Sequence, residues 1–85
     1  MQIKFGDKFE KQHKKVDAKR KTAFAKRLEI FLQNPYDPLL NNHSLTGNYS
    51  GFRSINVTGD WRAVYFEENG MATFVALGTH SQLYK

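Results

Sequence analysis

Two histidines, an aspartate and an arginine are the side chains of this sequence best suited to acid–base chemistry. They are His43, Asp60, Arg62 and His80, and they occur in loops or at the ends of predicted strands. An imidazole titrates at about pH 6.5, so it can gain or lose a proton at neutral pH, and a carboxylate beside it can fix its tautomer. Because the segments that hold Asp60 and His80 both follow strands, we expect folding to bring these two residues near one another.

Each of these residues also has a purely structural interpretation, and the sequence alone leaves both open. Asp60 follows Gly59 and can bond to its own backbone in a turn. His43 stands in a polar loop, where contact with solvent would explain it, and Arg62 can lay its methylene stem along apolar surface. Trp61 can belong to the core or offer a face on which a nucleobase stacks.

Neither a metal nor a nucleotide cofactor is expected. The three histidines are far apart in sequence and the chain has no cysteine, which disfavours a zinc site. The sequence also lacks a P-loop, a nucleophile elbow and a glycine-rich dinucleotide fingerprint. The remaining histidine, His13, has helical spacing to Phe9 and Val16 and is expected to pack beside them.

The elements that must position the reactive side chains begin with a strand and two helices. Residues 2–5 alternate polar and apolar side chains, which predicts a short strand. A helix is predicted over residues 7–16. A second helix, capped by Asp17, carries an apolar stripe and ends near residue 34, because Pro35 disfavours helical geometry in the residue before it.

The second half of the chain predicts a loop and three strands. Residues 35–50 contain both prolines and show no clear period, so they form a crossing loop. Alternation predicts strands over residues 51–57, 61–66 and 71–77, and Asn69-Gly70 is a pair favoured in tight hairpins. Residues 78–85 leave the sheet as a short tail.

The predicted fold class is therefore α+β, with the order β-α-α-β-β-β in one domain of residues 1–85. At 85 residues the chain is too short for two independent cores. The small, mostly antiparallel sheet carries the two N-terminal helices on one face and leaves the other face open for a ligand.

Charge is distributed unevenly along the chain. Residues 1–34 hold ten Lys and Arg against four acids, a net charge of +6, whereas residues 35–85 have a net charge of −1 and eight of the twelve aromatic residues. A basic surface with aromatic residues beside it favours nucleic acid as the partner. The chain shows neither a secretory signal nor an apolar run that spans a membrane, so we expect a cytoplasmic protein that does not bind membranes.

Four short motifs resemble one family of proteins. In order they are HSLTG at 43–47, GFRSINV at 51–57, GDWRAVY at 59–65 and GTHSQLY at 78–84. Together with the preceding β-α-α segment they resemble the RelE/ParE superfamily of toxins, in particular its YafQ branch of messenger-RNA interferases. The order and spacing of the motifs cover about half of the chain, and the resemblance implies a RelE-like fold without a cofactor.

The resemblance also implies a function and a site. A YafQ-like toxin is an endoribonuclease that cleaves messenger RNA on the ribosome and is neutralised by a cognate antitoxin protein. By position, the implied catalytic residues are His43, Asp60, Arg62, His80 and Tyr84. The implied RNA-binding residues are Arg53, Asn56, Trp61 and Lys85.

One residue departs from the pattern, and two other functions stay open. YafQ-like toxins have a further histidine where this chain has Asn56, and an amide cannot shuttle a proton at neutral pH. A toxin weakened in this way would keep only antitoxin or RNA binding. The other alternative is a ParE-like toxin that inhibits DNA gyrase and cleaves no RNA. The sequence does not decide which of His43 and His80 is the acid and which the base.

Overall fold

The computed structural model describes residues 1–84, and Lys85 lies outside the described residues. Strand β1 spans Gln2–Phe5 and is followed by helices α1, Asp7–Lys14, and α2, Ala18–Gln33. The remaining elements are β2 (His43–Ser44), β3 (Arg53–Thr58), β4 (Trp61–Glu68), β5 (Met71–Thr79) and α3 (His80–Leu83). The fold is α+β, as the sequence predicted.

The five strands form one mixed sheet in the order β1-β5-β4-β3-β2. Strand β1 runs parallel to β5, and the other neighbouring pairs are antiparallel. The β4–β5 hairpin turns at Asn69 and Gly70, both at positive φ, as the Asn-Gly pair predicted. The other hairpin, between β3 and β4, places Trp61 and Arg62 on opposite sides of the sheet, because successive side chains of a strand alternate.

Helices α1 and α2 cover one face of the sheet. The side chain of Asp17 caps α2 by accepting a hydrogen bond from the backbone N–H of Arg20 at 3.1 Å. Phe9 of α1 and Phe24 of α2 have ring centroids 5.3 Å apart, and both contact Phe74 of β5, at 5.9 and 5.8 Å. Truncating such a buried ring to alanine typically costs about 3–5 kcal/mol, so this aromatic cluster holds both helices to the sheet.

The opposite face is less open than the sequence predicted. The tail expected at 78–85 is instead a continuation of β5 followed by α3, whose Leu83 packs on Val64 and Ala76. The predicted loop contains the short strand β2 and two single-turn 3-10 helices. These pieces narrow the open face to one cleft. Among the helices of residues 1–84, none combines the length and apolar character needed to cross a membrane.

Candidate active site

An open cleft of about 490 Å³ lies between the loop with β2, strands β3 and β4, and helix α3. Its walls contain Asn41, His43, Ser44, Leu45, Thr46, Ser54, Arg62, His80 and Tyr84. Four of the five predicted catalytic residues, namely His43, Arg62, His80 and Tyr84, therefore share one cavity. Two imidazoles and a guanidinium around one cavity can move protons beside an anionic group.

His43 is held in one tautomer by its own loop. Its Nδ1 lies 2.8 Å from the backbone carbonyl oxygen of Asn41. The backbone of Asn41 is in the left-handed region, with φ 45°. A carbonyl oxygen can only accept a hydrogen bond, so Nδ1 must carry the proton. The Nε2 of the neutral ring then has a free lone pair, which is what a general base requires.

His80 is the first residue of α3 and is positioned through the backbone. Its N–H donates to the carbonyl oxygen of Asp60 at 2.9 Å, which ties α3 to the β3–β4 turn. Thr79 and Gln82 form a reciprocal capping box at the start of the helix. The His80 ring packs edge-on against Tyr84, with ring centroids 4.9 Å apart. The imidazole is exposed while the helix beneath it is fixed.

Arg62 supplies the positive charge of the cleft. Its Nη1 donates to the carbonyl oxygens of Gly59 at 2.8 Å and Trp61 at 3.0 Å. These two bonds occupy one nitrogen of the planar guanidinium, which has five N–H donors in all. The rest of the fork can therefore bind an anion such as a phosphate.

Ser54 is a cleft residue that sequence reasoning did not select. It is fully buried and pairs with His43 across the β2–β3 ladder, and its hydroxyl oxygen has no hydrogen-bond partner among residues 1–84. The Tyr84 hydroxyl is likewise buried and unpartnered within that part of the chain. Ser54 lies in a strand that alternation predicted. Because β2 was not predicted, nothing placed His43 above it.

The fold brings Asp60 and His80 near one another, as expected, but the carboxylate of Asp60 is not among the walls of the cleft. The side chain is exposed and lines a separate hollow with Lys19, Arg20 and Trp61. The reason is local: Asp60 is a turn residue after Gly59, which has φ 54°, and only its backbone carbonyl reaches His80. Asp60 and His80 are thus neighbours through the main chain.

Of the predicted RNA-binding residues, Trp61 and Arg53 face the helix side of the sheet. Trp61 packs against the core cluster, with the guanidinium of Arg20 5.4 Å from its ring centroid. Arg53 donates from Nε to the side-chain oxygen of Asn42 at 2.8 Å, and the Asn42 amide in turn donates to Tyr65 at 2.7 Å. Arg53 therefore holds Asn42, the neighbour of His43, from the helix side of the sheet.

Asn56 lies on the cleft side of the sheet but is not among the walls of the cleft in the described residues. It is the cross-strand partner of Arg62, and its side-chain oxygen is buried without a partner within residues 1–84. Lys85 lies outside the described residues. Within those residues, no three His, Asp or Glu side chains are grouped to hold a metal ion.

Solved structures share this fold over nearly the whole chain. A mutant of YafQ from E. coli superposes with a TM-score of 0.73, at 23% identity, over 98% of this chain and 97% of its own. YafQ in the E. coli DinJ–YafQ toxin-antitoxin complex gives 0.69, at 24% identity, over 98% and 96%. A YoeB/ParE toxin from Agrobacterium tumefaciens gives 0.77, at 18% identity, over 94% and 99%. The fold is that of the RelE/YoeB-like toxins.

The sequence assigns the chain within this class. No curated protein sequence matches it. All of residues 1–85 match the family described as "Bacterial toxin of type II toxin-antitoxin system, YafQ". The chain belongs to this YafQ family of type II toxins, which confirms the resemblance carried by the four motifs.

Proposed function

We propose that this toxin is an endoribonuclease that cleaves messenger RNA, acting on the ribosome, and that an antitoxin protein neutralises it. The observation that carries the proposal is the cleft shared by His43, Arg62 and His80. A proton acceptor, a proton donor and a cation around one cavity are the groups that cleavage of an RNA phosphodiester by its own 2′-hydroxyl requires.

In the proposed reaction His43 is the base and His80 the acid. The Nε2 of His43 removes the proton of the ribose 2′-hydroxyl, and the oxygen attacks the adjacent phosphorus in line. The bond from phosphorus to the 5′-oxygen breaks, and the His80 imidazolium gives its proton to that leaving oxygen. The products are a 2′,3′-cyclic phosphate and a 5′-hydroxyl. The hydrogen bond from His43 Nδ1 to Asn41 supports this assignment, because it leaves Nε2 free to accept a proton.

Arg62 stabilises the charge that develops on the phosphate. The transition state carries more negative charge on the phosphoryl oxygens than the substrate does, so a guanidinium in place beforehand lowers the barrier. Tyr84, stacked edge-on against His80, positions the sugar or base beside the acid. Asn56 lies next to Arg62 in the ladder and cannot titrate, so proton transfer falls to the two cleft histidines.

The antitoxin is expected to be an acidic segment. This chain has a net charge of +5, and its first 34 residues alone have +6, so a segment of opposite charge that folds on binding would cover the basic surface. The E. coli DinJ–YafQ structure is a toxin-antitoxin complex of a protein with this fold.

Histidine-to-glutamine variants test the proposal, since the chain offers a matched control. We expect His43→Gln and His80→Gln each to lower cleavage of a message in a purified translation system by about 10²- to 10⁴-fold, the usual contribution of a placed acid or base. His13→Gln removes the third histidine, which lies between Phe9 and Phe24 on the other face of the sheet, and should cleave like the wild type. Cleavage sites are mapped by primer extension.

Two results would contradict the proposal. One is equal cleavage by all three variants, which would remove both cleft histidines from the mechanism. The other is growth arrest by the wild-type toxin with intact messages and inhibited DNA gyrase, which would favour the ParE-like alternative.

A further inference from the structure

A second hollow, of about 360 Å³, lies beside α3 on the side of the sheet that α1 and α2 cover. It is lined by Gln12, Lys15, Val16, Trp61, Leu77 and Gln82. Gln82 belongs to the same four-residue helix as His80, and Trp61 is next to Arg62 in β4. Each opening thus has walls from α3 and from β4, so the two openings are neighbours.

Both glutamines of the hollow have their side-chain oxygens engaged. The Oε1 of Gln12 accepts from the backbone N–H of Leu77 at 2.8 Å, and the Oε1 of Gln82 accepts from that of Thr79 at 2.9 Å. Gly78 lets Gln82 come this close, because a Cβ at residue 78 would lie 2.9 Å from Gln82 Oε1. Because one of the two lone pairs of each oxygen is already used by a backbone N–H, each amide offers a ligand mainly its NH₂ group.

The other polar side chains of the hollow, those of Lys15 and Trp61, are hydrogen-bond donors only. Neither the Lys15 ammonium nor the Trp61 indole has a lone pair with which it could accept a hydrogen bond. Val16, Leu77 and the half-buried Trp61 ring supply apolar walls. A ligand that fits is therefore planar and apolar on its faces, with acceptors rather than donors on its edge.

We propose that this hollow binds a keto nucleobase, guanine before uracil, of a nucleotide next to the one that is cleaved. Guanine presents two adjacent acceptors, O6 and N7, and uracil presents carbonyl oxygens, whereas adenine and cytosine each place an amino donor at the same edge. The inference rests on the proposed function, and it adds that Gln12 and Gln82 determine specificity while Trp61 stacks on the base.

Two isosteric variants reverse the chemistry of the hollow without removing what holds it together. In Gln12→Glu and Gln82→Glu a carboxylate oxygen still accepts from the backbone N–H of Leu77 or Thr79, and glutamate is itself a capping-box residue. The NH₂ donor is replaced by an acceptor. Gln33→Glu, at the exposed end of α2, makes the same change of charge elsewhere.

Trp61 is the only tryptophan of the chain, so its fluorescence reports on this hollow without any cleavage. We titrate four proteins, namely the wild type, the two hollow variants and Gln33→Glu, with GMP, UMP, AMP and CMP. The fluorescence is excited at 295 nm, and the measured quantity is the nucleotide concentration at half-saturation. We expect GMP to half-saturate at about a five- to tenfold lower concentration than AMP, with UMP between them. Each hollow variant should abolish or invert the ratio and Gln33→Glu should keep it.

The outcomes separate this inference from the proposed function. Equal half-saturation by GMP and AMP, or a preference unchanged in Gln12→Glu and Gln82→Glu, overturns the keto-base site even when the toxin cleaves RNA. A GMP preference that both hollow variants lose upholds the site even when His43→Gln and His80→Gln show no loss of cleavage. A titration in which a glutamate-rich peptide quenches the Trp61 fluorescence and none of the four nucleotides does also overturns the keto-base site. It would mean that the donors of the hollow bind an acidic protein segment.

Discussion

At the scale of single residues, the main chain does much of the positioning in this site. A backbone carbonyl fixes the tautomer of His43, two backbone carbonyls hold Arg62, and the carbonyl of Asp60 receives the N–H of His80. Side chains that the sequence marks as reactive are thus aimed by groups that every residue possesses. The sequence shows where the reactive groups are but not which carbonyl holds each one.

Asp60→Asn separates the carbonyl of this residue from its carboxylate. The variant keeps the backbone acceptor for His80 and removes only the exposed charge, which lies in the hollow beside Lys19 and Arg20. We expect its cleavage rate in the translation assay to stay within about threefold of the wild type, against the loss of about 10²-fold or more expected for His80→Gln. A comparable loss in both variants would show that the carboxylate itself takes part in the reaction.

At the scale of elements, local signals predicted what is local. Strand β1, helix α2 with its Asp17 cap, and the Asn69-Gly70 hairpin all lie where the sequence placed them. Strand β2 and helix α3 were missed, because two residues of ladder and four residues of helix carry no period. Such short elements form only when tertiary contacts, such as the packing of Leu83 on Val64, stabilise them.

The candidate site likewise contains residues that the sequence predicted and one that it did not. The sequence supplied His43, Arg62, His80 and Tyr84, which the fold brings together in one cleft. It did not supply Ser54, which faces His43 because of the unpredicted pairing of β2 with β3. Their roles in catalysis stay predictions until the variants are measured.

Helix α1 carries a histidine whose protonation changes the stability of the fold in a direction that its pKa shift determines. His13 packs between Phe9 and Phe24, and burial, with the charge of Lys21 as a smaller cause, lowers its pKa below the usual value of 6.5. The unfolded chain then binds the proton more readily than the folded chain does. The free energy of unfolding should therefore fall as pH drops through 6.5, and the loss should level off below the folded-state pKa.

Urea unfolding at pH 7.5 and pH 5.5 measures this effect. The decrease in the free energy of unfolding between the two pH values should be smaller in His13→Gln, which has no imidazole to protonate, than in the wild type. An equal decrease in both proteins would mean that the acid sensitivity comes from other groups.

At the scale of the whole molecule, the charge is concentrated in the half of the chain that forms the helices. Residues 1–34 have a net charge of +6, and three of their cations, Lys15, Lys19 and Arg20, line the hollows on either side of Trp61. If an RNA strand runs past these hollows, its phosphates contact these cations, and the counterions bound to the RNA are released.

Binding of a single-stranded RNA should therefore weaken steeply with salt. With about three or four phosphate contacts, the dissociation constant should rise about 20- to 50-fold between 50 and 200 mM NaCl, as measured by fluorescence anisotropy. Lys19→Gln should flatten the logarithmic slope by about 0.7, whereas Lys4→Gln, the same change on strand β1, should not. A flat response of the wild type would exclude phosphate contacts by the helical half.

The chemical groups at the cleavage ends report on the reaction itself and so show whether the 2′-hydroxyl attacks the phosphorus. The wild-type toxin is incubated with a translating message, and the ends at the cleavage site are identified by mass spectrometry. Messages with a single 2′-deoxynucleotide at that site are compared. The two-histidine mechanism predicts a 2′,3′-cyclic phosphate, a 5′-hydroxyl and no cleavage at the deoxynucleotide. A 3′-hydroxyl with a 5′-phosphate, or cleavage that persists at the deoxynucleotide, would contradict it.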